Sequence, residues 1–501
     1  VARRGPAATP VGAFPVHAFQ FPRFRLIVRH ELRLMAKERL LWIAGGLFLL
    51  LVGYAVFNGL LQTSLRDNAQ TALTNADTQA RGEQLAQLNR IMAGIETPTP
   101  FGNPASPANM GGGLGAHYAI MPSVAMAPVA LGQTDLFPSQ FRVTYQSKVN
   151  FIHNNDIENP WHLLSGHFDL AFVVVYLLPL LIFALGYNLL SGEREDGTLR
   201  LLLSQPLALA TLIAGKIAVR AAVLLGAAVL TPLAVLLIAR PQVLQAADAT
   251  LWWVLLVGAY ALFWFSAVVA VNAFGKSSAA NAMMLMVGWV ALVLVTPVLL
   301  NIAAAFVSPA PSRAELATRT RVATAEAMHA NAALLSSDYE HMDKPDALMP
   351  RDGTIHISGR PLGQARVERQ VDDTMAPELA RFEAQLKRQQ ALVARYSVLS
   401  PAAAAYEGIT ALAGTGQRRH AHFMAQIDTY HQAWKAFFLP RIEHGRAITA
   451  ADFSAMPAFH WQEENRGAVR TQALRALLQL LTPALLLLGL AAWRLRRYRV
   501  V

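Results

Sequence analysis

Residues 249–275 read ATLWWVLLVGAYALFWFSAVVAVNAFG, 27 positions without one charged side chain. A helix rises about 1.5 Å per residue, so roughly 20 apolar residues cross the hydrocarbon core of a bilayer, and a run of this length does so with room for tilt. The next neutral run, 277–312, is longer still. Working outward in both directions, further stretches qualify near 41–61, 169–190, 218–239 and 474–493. With 250–274 and 280–306 they make six expected spans. Hydrocarbon offers no water to backbone N–H and C=O groups, so each span has to be a helix that satisfies them internally. Pro179, Pro232, Pro297 and Pro483 fall inside spans, where a missing N–H kinks the helix and leaves a carbonyl for a neighbour to satisfy.

Composition agrees with this reading. The 501 residues are 54% hydrophobic and 15% charged, with a mean hydropathy of +0.33, more apolar and less charged than a soluble domain. There is no cysteine, which excludes disulfide frameworks, thiolate nucleophiles and thiolate-bound zinc or iron–sulfur centres. A formal charge of +11 invites a nucleic-acid partner until its placement is read. If the N-terminus is cytoplasmic, six crossings return the C-terminus to that side, and the cytoplasmic pieces are 1–40, 191–217, 275–279 and 494–501. They hold 16 of the 43 basic and 5 of the 32 acidic residues, so the whole excess of 11 lies there and the remainder carries 27 of each sign. That is the positive-inside distribution, and it leaves no case for nucleic acid. The expected location is a bacterial inner membrane, with both termini cytoplasmic. The first apolar run exceeds a signal-peptide core, and Leu60-Leu61-Gln62-Thr63 after it lacks a small-residue cleavage pattern, so it reads as a retained span.

Two long segments, 62–168 and 307–473, fall on the opposite, periplasmic side and hold more than half of the chain. In the first, Leu65, Leu73, Leu85, Leu88 and Met92 recur at near-helical spacing, which predicts that the first span continues outward over 62–95. From 97 to 138 prolines and glycines crowd together, Gly111-Gly112-Gly113 among them, and the stretch reads as a loop that need not be ordered. A short β-like run follows at 141–145. The second segment predicts helices over 313–342, 364–399 and 417–438, parted by proline and glycine clusters near 345–363 and 414–416. No period repeats, which argues against solenoids and propellers. The expected fold is an all-α integral membrane protein, six transmembrane helices with a mainly helical periplasmic domain built from two inserts.

Near the N-terminus Arg25, Arg29, Arg33 and Lys37 recur every four residues, a basic stripe on a helix that also carries Phe24, Ile27, Val28, Leu32 and Met35. Such a helix lies along the inner leaflet, either as a plain positive-inside anchor or as a brace for a cytoplasmic partner. Between the second and third spans the chain reads SGEREDGTLRLLLSQP, residues 191–206. Its three carboxylates suit the positive end of a short helix. Leu199, Leu201, Leu202 and Leu203 then offer an apolar knob to a groove on another protein. The plainer alternative is a solvated loop whose acids only cap a helix.

This segment resembles the cytoplasmic loop of ABC type-2 exporter permeases. There Glu-Arg-Glu (here Glu193, Arg194, Glu195), Gly-Thr-Leu (Gly197, Thr198, Leu199), a Leu-Leu-Ser-x-Pro run starting at Leu202 and then Gly-Lys (Gly215, Lys216) follow the second span. The chain is similar, further, to the subset of these permeases with large periplasmic inserts after spans 1 and 5. That similarity rests on Glu158-Asn159-Pro160-Trp161 with Gly166-His167-Phe168-Asp169, and on Gly414-Thr415-Gly416, Arg419-His420, Tyr430-His431 and Trp434. It covers most of the chain but not 97–138. The resemblance implies one transmembrane half of an exporter with no cofactor of its own, ATP and Mg being held by a separate ABC ATPase subunit. It also implies a second permease, self or paralogue, and contact with membrane lipid. Glu193, Arg194, Glu195, Gly197, Thr198, Leu199 and Leu202 would form the ATPase-coupling loop, and Arg25, Arg29, Arg33 and Lys37 the interfacial helix beside it.

Other chemistry is thinly supported. Gly275-Lys276-Ser277 imitates only the end of a phosphate-binding loop, because Ala270 stands where the first glycine is required, so ATP hydrolysis is not expected on this chain. Of the 14 histidines all but His17 and His30 fall in the two long segments. His420, His422 and His431 are the metal-ligand alternatives, weakened because positions two apart on a helix face different sides. Met110, His117, Met121 and Met126 make a soft-metal alternative. No span has a charge at its middle, which disfavours ion-coupled carriers. Two outputs stay open: export between paired permeases, or a mechanotransducing role in which the periplasmic domain acts on a periplasmic or outer-membrane partner. A receptor-like protein without any ATPase is the third possibility.

Overall fold

Helix α1 (Phe21–Lys37) leads into α2 (Arg39–Met92), and after the first long segment come α3 (170–186), the short α4 (Ser191–Glu195) and α5 (Thr198–Ser204), then α6 (Leu209–Ala239), α7 (Ala247–Phe274) and α8 (Ser278–Val307). The second long segment supplies α9 (Arg313–Ala330), α10 (Ala332–Leu335), α11 (Gly359–Tyr396), α12 (Pro401–Leu412), α13 (Gln417–Glu443) and α14 (Ala450–Ala455), before α15 (Arg466–Arg496). This computed structural model describes residues 21–37, 39–132, 134, 137–148, 168–204, 208–275, 277–309, 312–337 and 345–497. Among them six helical stretches, α2, α3 with α4, α6, α7 with the turn before it, α8 and α15, are long and apolar enough to cross a bilayer. The chain is a multi-pass, all-α membrane protein, as its six neutral runs imply.

Helix α7 is the axis of the bundle, with Trp253, Tyr260 and Trp264 at 0–2% exposure between α3, α12 and α15. Helix α8 lies outermost and shows apolar side chains to the surroundings, Met283 at 71% and Phe306 at 89%. Such a surface is at home in lipid or against another membrane helix. The prolines act as the sequence suggests. Just ahead of Pro179, Pro232 and Pro297 the helix widens into a π turn, over Val173–Leu177, Gly226–Leu230 and Val290–Val295. The carbonyls set free are taken up by other elements: Tyr260 Oη donates to Val175 O at 2.7 Å, and Ser400 Oγ to Leu292 O at 2.8 Å.

The described residues between 97 and 138 are irregular yet packed, which corrects the expectation of a loop free to be disordered. Met110, Ala119 and Met126 are at most 1% exposed, and strand β1 (Tyr118–Ile120) pairs antiparallel with β2 (Gln140–Arg142), Ala119 opposite Phe141. Proline and glycine excluded helix there, but burial against α13 supplied the order. One core holds Leu88, Met110 and Phe141 from the first long segment with Phe423, Trp434 and Phe438 from the second, so both build one body. Helix α2 runs from that core into the bundle core at Phe48 and Val52, 54 residues without a break. At about 1.5 Å per residue it is a rod of roughly 80 Å. Asp169 ties the two parts again, accepting from Phe172 N at 2.7 Å and from Leu131 N at 2.8 Å, while Thr415 Oγ1 donates to Ala130 O at 2.9 Å.

Helix α12 was not legible in the sequence. Its alanines carry no periodic signal, yet Ser400 caps it and Gly408 lets it close on α7 and α15, where a Cβ would stand 2.8 Å from side-chain atoms of Leu256 and Ala476. The stretch from Glu158 through His167, Gln205 with Pro206, Lys276, and the expected helix beyond 337 lie outside the described residues.

Candidate functional site

The loops joining α3 to α6 and α7 to α8 meet at one end of the bundle, and α1 closes over them. Helix α1 buries Ile27, Glu31 and Met35, spaced by four, against α6 and leaves Arg25, Arg29, Arg33 and Lys37 exposed. The basic stripe therefore faces outward as its spacing predicts, but the apolar seam is narrower than expected, because Leu32 is 49% exposed. The seam is narrow because α1 crosses α6 at Gly215, where a Cβ would stand 2.6 Å from Ile27 Cγ2. Gly215→Val should lift α1 off α6 and cost about 1–3 kcal/mol of overpacking, read as a lower thermal midpoint and faster hydrogen exchange over 21–37.

Lys216 follows that glycine into a buried charge cluster. Its Nζ lies 2.6 Å from Glu193 Oε1 and 3.7 Å from Glu31 Oε1, and Arg220, one turn on, reaches Glu31 Oε2 at 3.3 Å and donates to Leu185 O at 2.6 Å. Two cations and two carboxylates balance, so α1, α4 and α6 are joined by charges that need each other. The Gly-Lys pair of the motif thus has two jobs, close approach and charge pairing. Glu31 and Arg220 were missed by sequence reasoning. Their signal was two ionisable residues on otherwise apolar helix faces.

Helix α4 ends at Gly197, whose φ of +71° suits the left-handed turn into α5. Thr198 Oγ1 donates to the Glu193 carboxylate across that turn and to Glu193 O at 3.1 Å. Glu195 reaches the first turn of α8, where Ser278 N and Ser278 Oγ each donate to it at 2.7 Å. Of the acids expected at the positive end of their own short helix, Glu193 does lie in the first turn of α4, where it also pairs with Lys216, whereas Glu195 closes that helix and caps α8. Arg194 Nη2 points to Gly275 O at 3.5 Å. Beneath them Ser191, Asn272 and Asn281 form a buried polar node: Leu190 N donates to Asn272 Oδ1 at 3.1 Å, and Asn281 Nδ2 donates to Ser191 Oγ at 3.1 Å.

The apolar knob is corrected too. Leu199 is 1% exposed and packs with Ile27, Leu190 and Leu212, and Leu202 leans on the same cluster, while Leu201 is 70% exposed. Helical spacing puts 199 and 202 on one side and 201 on the other, so Leu199 fastens the loop inward and Leu201 is the side chain presented outward.

The histidine alternatives separate. His420 stacks on Phe137 with ring centroids 4.7 Å apart, His422 meets Trp461, and His431 Nε2 lies 2.8 Å from Gln146 O. Among the described residues no three histidine, aspartate or glutamate side chains come close enough together to hold a metal ion. Burial pushes the His420 imidazole down to about 4. Its depressed folded value leaves the native state intact above the unfolded value near 6.5 and weakens it as pH falls toward 4. At pH 5 wild type should have lost about 2 kcal/mol that His420→Leu does not lose, measured by chemical unfolding at pH 7 and pH 5.

No curated protein and no solved structure matches the chain. A family model does, that of the ABC-2 family transporter proteins, over residues 25–498. This range takes in most of α1, all six candidate spans, the loop over 191–206 and both long segments, so the chain belongs to the ABC-2 transporter family.

Proposed function

We propose that the protein is the permease subunit of an exporter, driven by ATP bound and hydrolysed with Mg on a separate ABC ATPase subunit. The end of the bundle formed by α1, α4 and α5 faces the cytoplasm together with both termini, and the two long segments build a periplasmic body. The observation that carries the reading is the anchoring of one short loop to three helices at once. Glu193 holds α6 and, through Lys216, α1; Glu195 holds the start of α8. A push on α4 and α5 is therefore felt throughout the bundle. Arg194, Gly197 and Leu201 complete the presented surface, with Arg25, Arg29, Arg33 and Lys37 beside it against lipid headgroups or the ATPase. A second permease, self or paralogue, completes the transporter.

A mechanical output has its own support in α2, whose unbroken rod joins the bundle core to the outer body. Motion of the coupling end reaches the periplasmic body along it, and a periplasmic or outer-membrane partner would receive it there.

The test is co-purification of the tagged chain from mild-detergent membranes. An ATP-binding subunit should accompany wild type and Glu195→Gln, and Glu195→Lys should weaken it about tenfold or more, because a cation now opposes the positive end of α8. Absence of any ATPase with the folded wild type would overturn the reading. Stimulation of ATP hydrolysis by a small amphipathic cargo in vesicles would favour export; dependence on a periplasmic protein would favour mechanical output.

A further inference from the structure

The end of α11 stands at the depth of lipid headgroups. Helix α8 starts at Ser278, beside the charged Arg194 and Glu195, so its first turn marks one edge of the bilayer. Leu292 lies fourteen residues on, roughly 21 Å at about 1.5 Å per residue. Ser400, which donates to Leu292 O at 2.8 Å, is therefore about 9 Å inside the far edge of a hydrocarbon layer roughly 30 Å thick, and any tilt of α8 puts it deeper. Helix α12 lies in the same layer, because Ala402, Ala405 and Ile409 share the bundle core with Leu256 and Leu480. The chain comes down along the second half of α8 as α11, dips into hydrocarbon at Ser397–Leu399 and returns through α12 to Thr415. Tyr396, Val398 and Leu399, 47–56% exposed, are its apolar tip.

The exposed face above that tip is cationic. At about 100° per residue, Arg381, Ala384, Lys387, Arg388, Ala391 and Arg395 fall within roughly one third of the helix circumference. All six are exposed, whereas Phe382, Leu386, Leu392 and Val393 on the remaining sides are half-buried. No acid shares the face, and the neighbouring Glu383 is held by Lys148 at 2.9 Å. Arg381 is drawn to Glu378 at 3.5 Å. Among the described residues Lys387, Arg388 and Arg395 meet no carboxylate, and Arg395 only lies over the Tyr396 ring, 5.9 Å from its centroid. Five to thirteen residues separate these three from Ser400, about 8–20 Å of helix, which takes in the headgroup layer that begins about 9 Å above it.

We propose that this end of α11 docks an anionic phospholipid from the leaflet on the side of the two long segments. Lys387, Arg388 and Arg395 hold the headgroup phosphate, and the acyl chains lie on Tyr396, Val398 and Leu399. Bonds from guanidinium or ammonium to phosphate are charge-assisted, and a basic cluster beside an apolar anchor selects anionic lipid over zwitterionic. Lipid is favoured over a protein partner because the tip below the cations already sits in hydrocarbon. The inference goes beyond the permease reading and needs only that the chain spans a bilayer.

The chain has no cysteine, so one introduced thiol gives one probe. Ala391→Cys, between the cations, carries bimane on the full chain in phosphatidylcholine nanodiscs. These are doped with a lipid bearing a nitroxide high on its acyl chain, either phosphatidylglycerol or phosphatidylcholine. Quenching should show phosphatidylglycerol enriched at least about fivefold over phosphatidylcholine at equal doping. Ile238→Cys, 83% exposed near the same end of α6, should be quenched alike by both lipids, and Thr374→Cys, higher on α11, by neither. Lys387→Gln, Arg388→Gln and Arg395→Gln together should abolish the preference at an unchanged thermal midpoint, since all three side chains are exposed. Inorganic phosphate should compete no better than sodium chloride of the same ionic strength. No quenching at 391 by either lipid would place the face against water or a protein and overturn the proposal. Equal quenching by both lipids, a preference that survives loss of the three cations, or displacement specific to inorganic phosphate would overturn it as well.

Discussion

Lys216→Met should separate α1 from the bundle and, on the permease reading proposed for this chain, weaken its hold on an ATPase subunit. The substitution keeps most of the stem and removes the charge that Glu31, at 6% side-chain exposure, and Glu193 share. Arg220 still reaches Glu31, but one cation is left for two carboxylates in a site with little water. Removing one partner of a buried ion pair costs roughly 3–5 kcal/mol, far more than the pair's own net worth, because the remaining charge has no solvent. The retained Arg220 contact places the expected loss near the lower end. It should appear as a thermal midpoint lowered by several degrees, rapid hydrogen exchange in α1 and α4, and loss of the ATPase from pull-downs. Glu31→Gln combined with Lys216→Met should recover part of the stability, since the orphaned carboxylate is gone. A double variant as unstable as the single one would mean that Lys216 acts by packing alone.

Trp434→Ala should melt the outer body while the bundle persists. The indole is fully buried, lies tilted against Phe438 with ring centroids 4.7 Å apart, and donates Nε1–H to Gly111 O at 3.1 Å. Truncating a buried tryptophan costs about 3–5 kcal/mol in lost contacts and cavity. The glycine turn at 111–113 also loses a tether, because Gly111 O is one of the points that hold it against the core. Limited proteolysis should cut within 97–148 and 417–443, with α7 and α15 still protected. Trp434→Phe keeps most of the packing and forfeits the hydrogen bond, so it should lose only about 1 kcal/mol. Equal stability of the alanine variant and wild type would show that the outer core does not rest on this residue.

The bundle was legible because its signal is local. A neutral run over 249–275 has to be a buried or lipid-facing helix whatever its neighbours are, and the same holds for the other five runs. The outward continuation of α2 and the helices α9, α11 and α13 followed from periodicity for the same reason. The exposed arginine stripe of α1 was equally readable. Helix α12 escaped because alanine marks no face, and the ordered turns of 97–138 escaped because proline and glycine say only what a segment avoids. What orders that segment is contact with α13, some 300 residues along the chain.

Sequence alone determined that this chain is a six-span helical membrane protein, and it singled out residues 191–206 as the stretch carrying a motif. The motif letters did not reveal what each residue touches. Tertiary structure decided that Glu193 answers Lys216, that Glu195 caps α8, that Leu199 turns inward, and that Glu31 and Arg220 belong to the same cluster. The physical reason is range. Hydrophobic spacing acts over one or two helical turns and is written in consecutive residues, whereas a buried charge is satisfied by whichever partner the folded chain brings within a few ångströms, and that partner can lie anywhere in the sequence.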